Sequence, residues 1–495
     1  MILEFYEKLK QNDNVRESLS KLRSLIKEDE QKEELQKLAG DGRVILALLK
    51  HEDAKTRKNA ALLLGDLRLE SAREALINAY ETEATRFVKS AYLTALSKLD
   101  VAEYLDFFVS QKEALLSTEP AEEEKKHISE ELHELFAIIM NIEGVKKHPF
   151  IGFEKPHDLL LATNREQREV TLGEVAELSA AVQRKAELHP LGVLVYTKEV
   201  QAFTKLRTYR ELLFPLAKDE TLSSQPKEAA EKLWESGWLT LLEESHKGEA
   251  PFFFRVEIKA AEPQMEYAKK LATALEQISN FKLVNATKDY EVELRLVQSK
   301  EGGYAAFMKL RTIPMKRFAY RKNAIAMSIH PATAAMMMRL AKPYLKENAQ
   351  ILDPCCGVGT MLIERDLCVP AREIYGIDIF GDAITGVREN ASLAGEKINF
   401  IHRDFFDFKH DYLFDEIITN MPVRGRKTKE EVDGFYGQFF RKAKTLLTDD
   451  GKIIMYTNEG GFVKKQLRLQ PEFRLVQEFC IRKIEGFYLY IITKR

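Results

Sequence analysis

The sequence predicts a multidomain protein in which an α-helical region precedes two regions of mixed α/β structure. Its 495 residues exceed what one ordinary hydrophobic core accommodates, so we expect two to four domains. The apolar pattern is helical up to about residue 145, and strands then alternate with helices towards the C-terminus. Hydrophobic residues make up 45% of the chain and charged residues 31%, which is typical of soluble globular proteins.

Cysteine usage and the absence of targeting signals favour a cytoplasmic protein. The four cysteines form no spaced pairs of the kind that bind zinc, so we expect reduced thiols and no metal site. No run of 18 apolar residues occurs, and the N-terminal sequence MILEFYEKLKQNDN lacks the pattern of a signal peptide. We therefore expect no membrane association.

Residues 1–145 contain two stretches that align at a spacing of 32 residues, 57-RKNAALLLGDL-67 and 89-KSAYLTALSKL-99. Helix pairs with such a period are typical of HEAT-like repeats, whose stacked units bury each other's apolar faces. An irregular helical bundle is the alternative. Because stacked repeats offer extended concave surfaces, we expect this region to bind a protein partner or to control access to a substrate.

The middle of the chain predicts α+β structure. Strand patterns begin at 158-DLLLAT-163 and 192-GVLVYT-197. Further along, a strand at 252–260, a helix at 264–279 and strands at 290–299 and 303–312 follow one another. The order strand, helix, strand, strand is half of a ferredoxin-like layer, in which helices cover one face of a sheet. This pattern alone does not specify a ligand.

The last third of the chain predicts a parallel α/β sheet. A helix is predicted at 379–395, between the second and third strands. The six predicted strands are 349–354, 373–378, 397–404, 414–420, 451–459 and 486–494. In such sheets the ligand lies beyond the carboxyl ends of the strands.

The first two of these strands end in residues that suit a nucleoside ligand. Asp353 ends the first strand, and Gly357 and Gly359 allow the following loop to approach a ligand closely. Asp378 ends the second strand 21 residues after Gly357, a spacing that fits an acid bound to ribose hydroxyls. Asp404, at the end of the third strand, could accept a hydrogen bond from an adenine amino group.

The same loop favours S-adenosylmethionine over a dinucleotide. It lacks the G-x-G-x-x-G pattern, and the carboxylate of Asp353 at its start would repel a pyrophosphate. That carboxylate would instead attract an ammonium or sulfonium group.

The fourth strand ends in 417-IITNMPVRGRK-427, which suits an acceptor amine on a nucleobase. The lone pair of such an amine is delocalised into the ring. The side-chain oxygen of Asn420 and a backbone carbonyl beside Pro422 can both accept its hydrogens and turn the nitrogen towards attack on a methyl group. A plain strand-to-loop turn is the alternative.

Two clusters of basic residues lie near this loop in the sequence. One is in the linker that precedes the sheet, and the other directly follows the fourth strand. Basic runs are often only solvated surface, but two runs around one proposed site predict a track for RNA phosphates. The clusters comprise Lys316, Arg317, Arg321 and Lys322 in the linker, and Arg424, Arg426 and Lys427 after the fourth strand.

With these motifs, residues 148–495 resemble the THUMP-domain RNA methyltransferases, class I S-adenosylmethionine enzymes that act mostly on guanine N2 of tRNA or ribosomal RNA. The family's donor loop, D-P-x-C-G-x-G-T, is matched by 353-DPCCGVGT-360, which implies that Cys356 and Thr360 also belong to the donor site. The resemblance implies a ferredoxin-like domain at 148–217, a THUMP-like RNA-binding domain at 218–312 and a Rossmann-like methyltransferase domain at 313–495.

The sequence departs from the family at two places. The catalytic tetrad N/D-P-P-Y/F is Asn-Met-Pro-Val here, so Val423 replaces the ring expected to stack on the target base, and Phe435 and Tyr436 are the nearest alternative rings along the chain. The helical region has no counterpart in the family.

Several functions remain open at this point. The resemblance favours guanine N2 of tRNA as the methyl acceptor. Guanine N2 of ribosomal RNA and adenine N6 of DNA or ribosomal RNA are the alternatives, since Asn-x-Pro serves either amine. A catalytically weak scaffold that recruits RNA or protein is the reading that Val423 supports.

Overall fold

The computed structural model describes residues 1–119, 121–178, 186–217, 220–326 and 328–495. It divides into two compact units. The first is formed by Met1–Pro149 and Asp219–Ala306, and the second by Phe150–Lys218 and Phe307–Arg495. In the described residues, no helix combines the length and the apolarity needed to cross a membrane.

The N-terminal region is all-helical, as predicted. Helices α2, α5, α7 and α9 contact one another in series, and each buries apolar residues in one core. The helices are α1 (Ile2–Lys10), α2 (Val15–Leu25), α3 (Asp29–Ala39), α4 (Arg43–Ala47), α5 (Ala54–Asp66), α6 (Arg73–Thr82), α7 (Arg86–Leu96), α8 (Leu105–Leu116) and α9 (Lys125–Glu143).

The two stretches that align in the sequence lie on α5 and α7, which pack directly against each other. Gly65 permits the close approach, because a Cβ atom at this position would lie 2.6 Å from the Cα atom of Ala95. The serial contact of neighbouring helices is consistent with stacked repeats, and the HEAT-like assignment stays a prediction.

Residues 150–217 have the order of elements of a ferredoxin-like domain. The antiparallel strands lie in the order β2-β3-β1-β4. The elements are β1 (His157–Ala162), α10 (Arg168–Ala176), β2 (Glu187–His189), β3 (Gly192–Thr197), α11 (Val200–Phe203) and β4 (Glu211–Leu216).

The residues after 219 form a second α/β layer. Up to Ala306 this layer belongs to the first unit, together with the helical region. Strand β5 pairs in parallel with both β6 and β7. The elements are α12 (Pro226–Glu235), α13 (Trp238–Ser245), β5 (Phe252–Lys259), α14 (Met265–Ile278), β6 (Leu283–Asn285), β7 (Val292–Gln298) and β8 (Tyr304–Leu310).

The helical region packs on this α/β layer through α9. Phe136 stacks on Phe281 with 5.6 Å between ring centroids, and Val284 joins the same apolar cluster. At the edge of this contact, His133 Nδ1 lies 3.1 Å from Glu276 Oε1, and this bond raises the pKa of His133. Apolar and ionic contacts therefore fix the helical region to the layer that follows it.

The C-terminal part of the second unit is a three-layer α/β domain. Its strands lie in the order β11-β10-β9-β12-β13-β15-β14. The elements are α15 (Pro331–Ala341), β9 (Gln350–Asp353), α16 (Thr360–Cys368), β10 (Glu373–Asp378), α17 (Gly381–Ala394), β11 (Asn399–His402), β12 (Phe414–Asn420), α18 (Lys429–Leu446), β13 (Leu447–Thr457), α19 (Gly460–Leu469), β14 (Phe473–Arg482) and β15 (Phe487–Lys494).

The expectation of a wholly parallel, six-stranded sheet is wrong at one edge. Strands β9 to β13 are parallel, but β15 runs antiparallel to both β13 and β14. Strand β14 was not predicted. It lies at the edge of the sheet and is only partly buried, so its sequence FRLVQEFCIR mixes charged and apolar residues instead of forming an apolar run.

Candidate active site

The loops that follow β9, β10 and β12 enclose a pocket of about 350 Å3 at the carboxyl edge of the sheet. Residues 325, 326, 328 and 329, which precede α15, complete its wall. The structure therefore brings both proposed halves of the site, the donor loop and the acceptor loop, into one cavity. The sequence-predicted residues among its lining are Asp353, Cys356, Gly357, Thr360, Asp378, Asn420 and Pro422.

The donor loop is held in shape by the acids at the ends of two strands. The backbone N–H of Cys355 donates to Asp353 Oδ1 at 3.0 Å, and the N–H of Gly357 donates to Asp378 Oδ2 at 2.9 Å. Gly357 and Gly359 both adopt left-handed φ angles, of +52° and +81°. At Gly359, a Cβ atom would also lie 2.4 Å from Val387 Cγ2, so both conformation and space require glycine there.

Asp378 keeps capacity for a ligand although it also supports the loop. Its Oδ1 accepts from the N–H of Phe380 at 2.9 Å, while Oδ2 accepts from Gly357. Each carboxylate oxygen has two lone-pair sites, so each can accept one further hydrogen bond. Asp378 lines the pocket, where ribose hydroxyls could supply those bonds.

Asp353 is the most strongly perturbed acid of the site. It is only 1% exposed. Burial, opposed by the hydrogen bond from the Cys355 N–H and reinforced by the nearby Asp378, raises its pKa to about 8. A cationic ligand group would remove this penalty, so Asp353 is suited to an ammonium or sulfonium group.

Thr360, the first residue of α16, has a buried hydroxyl that lies in the lining of the pocket. The residue is 3% exposed, and its Oγ1 has no hydrogen bond among the described residues. A buried hydroxyl without a partner is costly, and this one belongs to the pocket lining. The site therefore offers a hydroxyl, a buried acid and a second acid, which fits the carboxylate, ammonium and ribose hydroxyl groups of S-adenosylmethionine.

Two other predicted donor residues have different positions. Cys356 lines the pocket but is buried, and a Cβ atom at Gly376 would lie 3.0 Å from its Sγ, so the thiol packs tightly against β10. Burial raises the pKa of this thiol well above its usual value. Asp404 is exposed and outside the pocket lining, and its Oδ1 accepts from the N–H of Phe406 at 2.8 Å.

On the acceptor side, Asn420 ends β12 beside Tyr456 of the neighbouring strand. The N–H of Met421 donates to the carbonyl of Tyr456 at 3.0 Å, so the sheet ladder continues one residue beyond Asn420. Pro422 and Val423 then turn the chain along the pocket wall. The strand pairing thus fixes the backbone from which the proposed catalytic groups project.

The two rings considered as substitutes at Val423 differ in availability. Tyr436 is 1% exposed, and its hydroxyl lies 2.6 Å from Thr457 Oγ1, so it belongs to the core. Phe435 is half-buried, and the Nζ of Lys427 lies 5.3 Å from its ring centroid. Of the two rings, only Phe435 reaches the surface on the side of the basic loop.

The predicted RNA contacts divide into exposed and internally bonded cations. Lys316, Lys322, Arg424, Arg426 and Lys427 are exposed, and Arg321 is half-buried. Arg317 is different.

The guanidinium of Arg317 donates to the carbonyls of Leu206 at 2.7 Å and Arg210 at 3.0 Å. It lies 3.6 Å from the ring centroid of Tyr209. Arg317 therefore binds the ferredoxin-like part of its own unit.

Sequence reasoning missed two adjacent charged residues on α16. Glu364 is 1% exposed and accepts from Arg207 Nη2 at 2.7 Å and from the hydroxyl of Tyr320 at 2.6 Å. Arg365 is fully buried and binds both carboxylate oxygens of Glu416 on β12, at 2.8 and 2.9 Å. The signal was a pair of opposite charges inside the otherwise apolar helix start TMLIER.

Residues 319–483 match the family model of the UPF0020, RMKL-like methyltransferase domain. The chain therefore carries a methyltransferase domain. Enzymes of this class use S-adenosylmethionine as the methyl donor, in agreement with the donor groups of the pocket.

Two known proteins are similar in sequence to part of this chain. A tRNA (guanine(10)-N2)-dimethyltransferase of Methanothermobacter thermautotrophicus is 31% identical over 26% of this chain and 38% of its own length. A ribosomal protein L11 methyltransferase of Thermotoga petrophila is 26% identical over 37% of this chain and 64% of its own length. The chain thus spans less than two thirds of either relative.

The crystal structure of TrmN from Thermus thermophilus is similar in fold. The comparison covers 68% of this chain and 99% of that protein, with a TM-score of 0.51 and 21% sequence identity. At this identity the similarity establishes the arrangement of the chain alone.

The raised pKa of Asp353 predicts a pH dependence of donor binding. A bound ammonium favours the ionised carboxylate, so binding is linked to loss of a proton below the free pKa of about 8. Affinity should rise with pH between about 6 and 7, by up to about tenfold per unit, because the donor's amino group is mostly protonated in this range. Calorimetric titration of S-adenosylhomocysteine measures this slope. Asp353→Asn should bind more weakly and without the slope, and a parental slope in that variant would contradict the assignment.

The orphan hydroxyl of Thr360 predicts opposite effects on stability and on binding. Thr360→Val should raise the thermal stability of the donor-free protein, because it removes an unsatisfied buried group. It should also weaken donor binding by about 1 kcal/mol, or roughly fivefold in Kd.

Thr419→Val is the matched control, since the Thr419 hydroxyl is also buried without a hydrogen bond to any residue that the structure describes, but lies outside the pocket lining. It should raise stability and leave the Kd unchanged. Equal losses of affinity in both variants would show that Thr360 makes no contact with the donor.

Proposed function

We propose that this protein transfers a methyl group from S-adenosylmethionine to guanine N2 of an RNA, with tRNA as the substrate class. The proposal is carried by one observation: Asn420 and Pro422 line the same pocket as the donor groups Asp353, Thr360 and Asp378. A donor methyl and an acceptor amine can therefore meet inside one cavity of about 350 Å3.

The protein's own groups orient the acceptor. The side-chain oxygen of Asn420 accepts one hydrogen of the exocyclic amine, and the backbone carbonyl beside Pro422 accepts the other. These bonds turn the nitrogen lone pair out of conjugation and towards the methyl group, which S-adenosylmethionine supplies as an electrophile. No general base is needed before transfer, because the amine proton becomes acidic only once the new N–C bond has formed.

This geometry favours a conjugated base amine over the amine of a protein. A lysine amine is protonated at neutral pH and must first lose a proton, which two hydrogen-bond acceptors do not by themselves remove efficiently. A guanine amine is neutral and needs only reorientation. The guanine-N2 activity named for the Methanothermobacter relative supports this acceptor, and the protein substrate named for the Thermotoga relative becomes an outcome to test.

In the proposed donor site, Asp353 faces the donor's ammonium group, Thr360 its carboxylate and Asp378 its ribose. Gly357 and Gly359 shape the loop around it. The exposed cations Lys316, Lys322, Arg424, Arg426 and Lys427 supply a track for RNA phosphates. The helical region, which is part of the first unit, is proposed to control RNA access or bind a protein partner.

Asn420→Ala tests the mechanism. The substitution removes one acceptor used in the transition state, so single-turnover methylation of unmodified tRNA should slow by about 10²- to 10³-fold, while the Kd of the donor changes little. Asn399→Ala, an exposed asparagine on β11, is the matched control and should keep the parental rate. A parental rate in Asn420→Ala would refute the proposed role.

A further inference from the structure

Positive charge concentrates at the start of α15, next to the methyl-accepting side of the pocket. Arg210 Nη2 donates to Thr333 Oγ1 at 3.0 Å, in the first turn of that helix. Burial and the charges of Arg210, Arg321 and Arg317 lower the pKa of His330 to about 4, so the imidazole is neutral at neutral pH. Arg210 thus lies at this helix, and the segment that carries Arg321 lies beside it, because the N–H of Arg321 donates to the carbonyl of Phe318, whose ring centroid lies 6.1 Å from that of His330.

The same cluster extends to β13 and β14. Tyr456 of β13 pairs with Asn420, and neighbouring strands lie about 4.8 Å apart. Burial raises the pKa of Tyr456 to about 12, against the opposing charges of Arg482 and Arg210. Burial and the charge of Arg482 also lower the pKa of Arg210. The ring of Tyr456 stacks on Phe487 with 5.0 Å between ring centroids, and the guanidinium carbon of Arg482 lies 5.9 Å from the Phe487 centroid. The N–H of Arg210 donates to the carbonyl of Ala162, and the side chain of the nearby Asn164 donates to the carbonyl of Ile481, so Arg210 and Arg482 are carried by neighbouring segments.

The nearby carboxylates balance only part of this positive charge. Glu211 binds Lys309 at 2.6 Å, and Glu485 lies 3.4 Å from Arg482. In the part of the chain that the structure describes, neither Arg210 nor Arg321 forms an ion pair, and the buried Nε of Arg321 has no hydrogen-bond acceptor. Arg210 and Arg482 are exposed, so their guanidinium groups are open to an anion from solution, and an anion between them would offset their mutual repulsion.

We infer that Arg210, Arg321 and Arg482 bind a backbone phosphate of the RNA beside the base that is methylated. This inference rests on the proposed function and adds to it a site that holds the flank of the target nucleotide. Guanidinium groups suit it, since they donate paired hydrogen bonds to phosphate oxygens. The position is beside the pocket, because Ser328 and Ile329, which line the pocket together with Asn420, immediately precede His330.

The proposed phosphate site does not include Arg317, although the sequence analysis predicted that Arg317 contacts RNA. The Arg317 donors are used on the carbonyls of Leu206 and Arg210, so Arg317 fixes the backbone that carries Arg210. Arg210 and Arg482 are 272 positions apart in the chain, so no local pattern could connect them.

The test measures binding of an unmodified tRNA transcript by fluorescence anisotropy across a range of salt concentrations. Arg210→Gln and Arg482→Gln should each weaken binding by about tenfold. Each should also reduce the salt slope by about 0.7 to 0.9, the value for one lost phosphate contact. Arg210→Lys should recover most of the slope, because the charge is retained.

Arg468→Gln is the matched control. It removes an exposed arginine from α19, which packs on the opposite face of the sheet from α15, and should keep the parental slope. Binding of S-adenosylhomocysteine shows that each variant retains a folded domain.

The outcomes separate this site from the methylation proposal. Parental slopes in Arg210→Gln and Arg482→Gln would overturn the phosphate site, whether or not the parent methylates RNA. A parent that binds no RNA would overturn it as well. A parent that binds RNA with the expected losses in the variants, but transfers no methyl group, would support the site and reject the proposed function.

Discussion

The arrangement of the second unit depends on two buried ionic contacts made by adjacent residues of one helix. Glu364 and Arg365 lie on α16, which starts at the donor loop. Glu364 reaches Arg207 in the ferredoxin-like part and Tyr320 in the linker, while Arg365 reaches Glu416 on the strand that ends at Asn420. One helix therefore fixes the donor loop, the acceptor strand and the ferredoxin-like part together.

Buried ion pairs of this kind add little net stability, but they restrict how the elements that they join can be arranged. Removing one partner of a buried ion pair typically costs about 3 to 5 kcal/mol, because the other charge stays buried without compensation. Glu364 avoids that state by accepting three hydrogen bonds, and Arg207 is held further by donating to the carbonyl of Arg317. A placement of the ferredoxin-like part that separated Arg207 from Glu364 would leave both charges without their partner, so this pair favours the observed arrangement.

The fold and the donor loop were largely accessible from the sequence. Asp353 and Asp378 end buried strands and Gly357 follows the first of them, a spacing that fits a turn at a sheet edge, and the structure brings the three residues into one pocket. Local pattern was sufficient there because each residue acts within a few positions of its own strand.

Features that depend on distant residues were not accessible. Arg207 and Glu364 are 157 positions apart, and no local pattern reports their contact. Arg317 looked like a free cation in a basic run, but it binds backbone carbonyls. Strand β14 was not predicted, because an edge strand that is partly exposed lacks the apolar run of a central strand.

The most direct test of the central claim is to identify the methylated nucleoside. The purified protein is incubated with an unmodified tRNA transcript, with isolated ribosomal protein or with ribosomal RNA, each with methyl-labelled S-adenosylmethionine, and the digested products are separated by chromatography and mass spectrometry. The account predicts label in N2-methylguanosine from tRNA. Label only in protein, or only in N6-methyladenosine, or no label from a protein that binds the donor, would contradict it.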